Sequence, residues 1–106
     1  MTYEALVKEV KATASKADAS GIQGHVAFQF NVTGEAAGAF YMEIVDGQIK
    51  VEPYEYYDRD VLVTSSADNI LKIMNGKLDP VVAYTLRKIK VEGDIGKALL
   101  LKEIIK

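Results

Sequence analysis

A five-stranded α+β fold, with helices gathered on the apolar face of one sheet, is what this chain of 106 residues predicts. Three observations carry the expectation. The hydrophobic period changes from helical to two near residue 24. Asp46-Gly47 stands between two alternating runs, and this dipeptide suits a type I′ hairpin, which needs φ > 0 at both central residues. The stretch IMNGKLDPVVAYTLRKIKVEGDIGKALLL, residues 73–101, lays out a helix end, a short helix, a strand and a last helix with almost no loop between them.

The first helix is expected from Tyr3 to about Lys16. Tyr3, Leu6, Val7, Val10, Ala14 and Ala17 form one stripe, Thr2 supplies an N-cap, and Glu4 and Lys8 make a favourable pair one turn apart. Asp18 to Gly24 reads as a loop from its Ser, Gly and Asp content. Val26, Phe28, Phe30 and Val32 then face one way; His25, Ala27, Gln29 and Asn31 face the other. After a turn over Gly34 to Gly38, Phe40, Met42 and Ile44 continue the apolar face. Ile49 and Val51 make a third strand ended by Pro53, which completes an antiparallel meander.

Tyr54 to Asp60 reads as an irregular connection rich in tyrosine, and Val61 to Thr64 as a fourth strand. Ser65 with Asp68, or Ser66 alone, starts a helix carrying Ile70, Leu71, Ile73 and Met74. Gly76 ends it in the left-handed conformation that suits glycine, and Asp79 and Pro80 begin the next as N-cap and first helical residue. Ile89 and Val91 alternate with Lys88, Lys90 and Glu92 as in a half-buried strand. Gly93 breaks that strand, and Asp94 caps a last helix. There Ile95, Ala98, Leu99, Leu100, Leu101, Ile104 and Ile105 spread wider than the ~100° arc that packing on one sheet face needs. The extra width has to meet another helix, a partner chain or a lipid tail.

Composition narrows the function. One domain over residues 1–106 is expected, with 49% hydrophobic residues to fill a core. A net charge of −2 argues against nucleic-acid binding. The absence of cysteine excludes a disulfide, a thiolate nucleophile and a cysteine metal site. The start MTYEALVKEVK lacks the pattern of a signal peptide, and the end Ile104-Ile105-Lys106 is not a Ser-Lys-Leu address. The longest wholly apolar run, Ala98 to Leu101, falls far short of the ~20 residues of a spanning helix. A cytoplasmic placement is therefore expected, without a transmembrane segment.

No residue stands out as catalytic. His25 is the only histidine, at a strand start on the side opposite the phenylalanines, and reads as an exposed or edge residue rather than a general base or metal ligand. Asp58-Arg59-Asp60 reads as an exposed loop with a local ion pair. Tyr54, Tyr56 and Tyr57 suit an edge or interface, because Glu52, Glu55 and Asp58 beside them repel phosphate. The glycines fit neither a Walker nor a dinucleotide fingerprint. No cofactor or metal is expected. Met42 and Met74, with Phe30 and Tyr84, would suit a pocket for varied apolar shapes. On the residues alone, ordinary core packing is the simpler reading of the same four.

The run Gly76-Lys77-Leu78-Asp79-Pro80, then Ala83-Tyr84, then Lys88-Ile89-Lys90-Val91 with Gly93-Asp94, resembles the sterol carrier protein type 2 domain family. Phe28 and Phe30, the Asp46-Gly47 hairpin and Ser65-Ser66 fall where that family has theirs, so the similarity covers residues 3–105. It implies a five-stranded mixed sheet with helices on one face and an apolar tunnel beneath the C-terminal helix. The ligand would be a fatty acid, fatty acyl-CoA, phospholipid or sterol, bound without catalysis. Lining residues would be Phe30, Phe40, Met42, Ile70, Met74, Val82, Tyr84, Leu99, Leu100 and Ile104, with Arg87 and Lys88 as headgroup candidates. Two positions depart from the pattern. Arg87 replaces a frequent glycine, which implies a different turn if that glycine has φ > 0, and Phe40 stands where many members have tryptophan. The rival reading is an accessory module docking on an enzyme of lipid or quinone metabolism. A homodimer and transient membrane contact stay open in both.

Overall fold

Each helix and strand begins where its local chemistry directs. In the structure, a computed structural model that describes residues 1–104, α1 (Tyr3–Ala14) starts at Thr2, whose hydroxyl accepts from the Ala5 N–H at 3.1 Å. The meander is β1 (His25–Thr33), β2 (Gly38–Val45) and β3 (Gln48–Glu52), with a 3₁₀ turn over Gly34–Ala36. Asp46 and Gly47 have φ of 46° and 84°, so the hairpin turn is of the expected kind. β4 (Val61–Ser66) returns parallel to β1, setting Phe28 opposite Val61. α2 (Ala67–Met74) is capped by Ser66, and α3 (Pro80–Thr85) by Asp79. β5 (Lys90–Gly93) pairs antiparallel with β4, and α4 (Ile95–Ala98) and α5 (Leu100–Ile104) close the described chain.

Strand order is β3-β2-β1-β4-β5, a mixed five-stranded sheet as expected. Its inner face presents Phe28, Phe30, Phe40, Met42, Ile44, Val61 and Val63, none more than 2% exposed. Phe30 and Phe40 stack with centroids 4.9 Å apart, a favourable addition to their burial. Over these strands lie the apolar faces of α1 and α2, with Leu6, Val10 and Ile70 at 1% or less.

Four expectations need correction. The last helix is not continuous: the Lys102 N–H reaches the Leu99 carbonyl three residues back at 3.1 Å, a turn too tight for an α-helix. That break leaves Leu99 outside while Leu101 and Ile104 are buried; Ile105 lies outside the described residues. The second concerns the outer sheet face, where Ala27 and Gln29 are buried beneath residues 53–60. Gln29 Oε1 accepts from the Tyr56 N–H at 3.0 Å and from Arg59 at 3.3 Å, which satisfies a polar side chain that burial would otherwise penalise. Third, Asp60 and Arg59 are not a local ion pair; Asp60 bonds the Ala27 N–H and Lys97 instead.

The fourth is Arg87. Its φ is 59°, so the turn after α3 is left-handed despite the missing glycine. α2 and α3 in fact end alike. The N–H of Lys77 bonds the Lys72 carbonyl, and that of Lys88 the Ala83 carbonyl, both at 2.8 Å. This is the Schellman closure, with Gly76 in one case and Arg87 in the other at the residue that turns left. Arginine there carries a strain of about 1–2 kcal/mol, partly offset by its smaller loss of chain entropy.

Two outcomes follow in chemical denaturation. Arg87→Gly is expected to stabilise the fold by about 0.5–1 kcal/mol. Gly93→Ala is expected to destabilise it by more than about 2 kcal/mol, because Gly93 has φ of 102° and an added Cβ would collide with the Asp60 carbonyl oxygen.

Candidate ligand-binding site

α1 packs on β3 and against α2, whereas α4 lies on β4 and β5 and leaves a gap between itself and α3. That gap is an apolar cleft of about 70 Å³. Phe28, Val63, Ile89 and Leu101 form its dry floor, each at most 6% exposed. Val81 and Tyr84 from α3, with Ile95 and Leu99 from the α4 region, form the rim at 40–53% exposure. Pro80, Val91 and Ala98 complete the wall, so among the described residues Tyr84 supplies the one polar side chain. The volume is well below the ~300–1,000 Å³ of pockets that enclose a whole small ligand. A ligand longer than a few carbons needs α4 to move outward.

A broad open groove of about 870 Å³ adjoins the cleft and shares Tyr84, Ile89 and Val91 with it. Its walls are polar and basic: Thr33, Thr64, Ser65, Ser66 and Asn69 on one side, Thr85, Arg87, Lys88 and Lys90 on the other. The Lys88 carbonyl accepts from the Ser65 hydroxyl at 2.8 Å and the Asn69 amide at 3.1 Å, fixing the turn that carries the two exposed cations. An apolar slot thus opens beside a positively charged trough, the arrangement suited to a molecule with an oily tail and an anionic head.

Of the expected lining residues, Tyr84 and Leu99 reach the cleft, and Arg87 and Lys88 lie in the adjoining groove. Phe30, Phe40, Met42, Ile70 and Met74 are in the packed core, at 3% exposure or less. Val82 is on the outward side of α3 at 47%. Leu100 and Ile104 border a different hollow, against the loop over Lys16–Ile22. Sequence reasoning missed the rest of the lining: Phe28 and Val63 from the sheet, Pro80 and Val81 from α3, Ile89 and Val91, and Ile95, Ala98 and Leu101. Ile95 was within reach, one helical turn before Leu99; the floor was not, because it depends on which strand lies beside β1.

The cleft is fastened from below by Asp60. Oδ2 accepts from the Ala27 N–H at 2.9 Å, and Oδ1 receives the Lys97 ammonium at 2.9 Å, joining α4 to the sheet. Partial burial pushes the Asp60 carboxyl up, but these two bonds outweigh it and hold the group below its ordinary value. On the outer face, the Tyr56 hydroxyl donates to Glu43 at 2.6 Å and His25 meets the same oxygen at 2.7 Å. The Glu43 bond, helped by burial, pushes Tyr56 up to about 12; Tyr56 and His25 together hold Glu43 low. Expected to be an exposed or edge residue, His25 is half-exposed and helps pin residues 53–60 to the strands.

An α+β sheet with an apolar cleft beside a basic trough is the architecture of a lipid-binding domain. The sequence matches the SCP-2 sterol transfer family over residues 4–106, and the chain belongs to that family. Hydroxysteroid dehydrogenase-like protein 2 of Mus musculus is 32% identical over 79 residues, 74% of this chain and 16% of that protein. Its Xenopus laevis counterpart is 30% identical over 107 residues, 98% of this chain and 24% of that protein. The chain therefore spans a quarter or less of these relatives. Among solved structures, palmitated SCP2L2 from Aedes aegypti superposes with a TM-score of 0.70 at 26% identity, covering 99% of this chain and 95% of that one. The sec-alkyl sulfatase PisA1 from Pseudomonas sp. contains a similar fold, with a TM-score of 0.74 at 17% identity over 91% of this chain and 15% of its own.

Asp60 supplies a pH-dependent outcome. Its folded-state carboxyl is depressed, so its contribution is present above the unfolded value of about 3.9 and is lost as pH falls through the folded value. Asp60→Ala leaves the Ala27 N–H unpaired and is expected to cost about 2 kcal/mol at neutral pH. In urea titrations the gap to wild type should narrow as pH drops below about 4. A gap independent of pH would mean that the carboxylate is not the fastening.

Proposed function

We propose that this chain is a non-catalytic lipid carrier, holding the acyl chain of a fatty acid, fatty acyl-CoA or phospholipid, or a sterol, in the cleft between α3 and α4. The observation that carries the reading is the junction of the two hollows at Tyr84, Ile89 and Val91. A tail in the slot leaves its head beside Arg87 and Lys88. The palmitated state of the 26% identical Aedes aegypti protein favours an acyl chain over a rigid ring system. The described residues that line the cleft are apolar apart from Tyr84, which supports walls that act by desolvating the ligand. The carrier acts as one domain.

The tail gains about 0.8 kcal/mol for each methylene removed from water, roughly fourfold in affinity. Entry requires α4 to swing away from Tyr84, a movement restrained by the Lys97–Asp60 contact and by the apolar rim closing on itself. Length of the tail, rather than identity of the head, then sets affinity.

The first test is mass spectrometry of the organic extract from gently purified protein, beside a heat-denatured and washed control. One lipid class near one equivalent per chain is expected. Binding of a fatty-acid series in solution should strengthen about fourfold per methylene until the opened cleft is filled. Leu99→Asp should weaken it on the order of tenfold, since it sets a charge at the apolar rim. An empty extract together with no fatty-acid binding would leave the docking-module reading in its place.

A further inference from the structure

The rim of the cleft is only part of a larger apolar surface. Val81, Val82, Tyr84, Leu86, Ile95 and Leu99 are 40–60% exposed, all within the α3 and α4 region. On α3 the outward polar groups are the Tyr84 hydroxyl and Thr85, and the Thr85 hydroxyl is turned inward to the helix, donating to the Val81 carbonyl at 2.9 Å. Val81, Tyr84, Ile95 and Leu99 share the cleft rim, and Val82 and Leu86 stand one turn apart beside it on α3; clustered apolar exposure of this kind marks a docking surface rather than scatter. Its electrical surroundings identify the occupant. Residues 77–102 carry six basic and three acidic side chains in a chain whose overall charge is −2. Asp79 is paired with Lys102, and Glu92 with Lys90. Arg87 and Lys88, at the end of α3, form no ion pair among the described residues.

We propose that this α3–α4 face docks on an anionic lipid bilayer, with Val82, Leu86 and Leu99 entering the interface and Arg87 and Lys88 at the headgroups. The proposal rests on the carrier reading, because the same face surrounds the mouth through which a tail must pass. Tyrosine at a rim suits the boundary between acyl chains and headgroups, and long cationic side chains keep their charge in the polar layer while their stems lie on grease. Each cation near an anionic leaflet adds roughly fivefold to binding. A second copy is a poorer occupant, because it would set one net-positive 77–102 surface against another.

The chain has no tryptophan, so one can be introduced as a reporter. Leu86 is 60% exposed and lines no part of the cleft, whereas Tyr57 is 95% exposed in the segment across the other sheet face. With vesicles of phosphatidylcholine and phosphatidylserine, the emission of Leu86→Trp should shift to the blue and be quenched by brominated lipid. Phosphatidylcholine alone should give a much weaker response. Added salt should reverse much of the binding, and Tyr57→Trp should not respond. Fluorescent fatty-acid binding without vesicles, on the same Leu86→Trp protein, tests the carrier reading separately. Retained fatty-acid binding with no vesicle response overturns the bilayer proposal alone; loss of both overturns the carrier reading as well. A blue shift that grows with protein concentration in the absence of vesicles assigns the face to a second copy. An equal response from Tyr57→Trp shows unoriented adsorption and likewise overturns the proposal.

Discussion

Asp60 uses all of its hydrogen-bonding groups on other elements. Its N–H donates to the Ala27 carbonyl, its carbonyl accepts from the Asp94 N–H, and its carboxylate holds the Ala27 N–H and Lys97. Around this one residue the start of β1, the entry to β4, the exit from β5 and the body of α4 are brought together. The parallel β1–β4 pairing begins directly after it, at Phe28 and Val61. Remove that junction and the floor of the cleft loses its edge. The carboxylate is tolerated at partial burial because each of its oxygens has a donor.

Two unlike halves rest on that junction. Over β1, β2 and β3 the molecule is finished: Phe30 and Phe40 stack, Leu6, Val10, Met42 and Ile70 are sealed, and helices α1 and α2 are matched to the sheet. Over β4 and β5 it is left open, with short helices, half-exposed aliphatic side chains and a turn in which Arg87 is held in a left-handed conformation. The first half supplies stability through dense packing. The second keeps apolar surface in contact with water, a cost that binding of a lipid would relieve.

Local chemistry was legible in the sequence, and contacts between distant segments were not. Thr2, Ser66, Asp79-Pro80 and Asp46-Gly47 fix their caps and turn through bonds spanning two or three residues, so their types suffice to place them. The period-two runs gave the inner face correctly. They gave no hint that Gln29 would be buried on the other side, because its cover comes from Tyr56 and Arg59, far along the chain. The cleft floor was hidden for the same reason. The methionines and phenylalanines singled out as lining are equally good core residues, and apolar type does not tell the two uses apart. Arg87 defeated a rule of local propensity: the Schellman bonds and the bonds to the Lys88 carbonyl are sufficient to hold an unfavourable φ.

The weak fastening of α4 has a consequence for time as well as for affinity. A partly exposed ion pair to a helix of four residues is only a light restraint on opening. In the proposed carrier, closure would therefore not imprison a tail; burial of the tail itself would resist withdrawal. Association rates vary little among related ligands, so differences in burial are expressed as dwell time. Each methylene should lengthen the stay about fourfold. Short chains would leave between encounters, and long ones would persist through them. The cleft would then sort its cargo by a clock, with no wall needed to measure length.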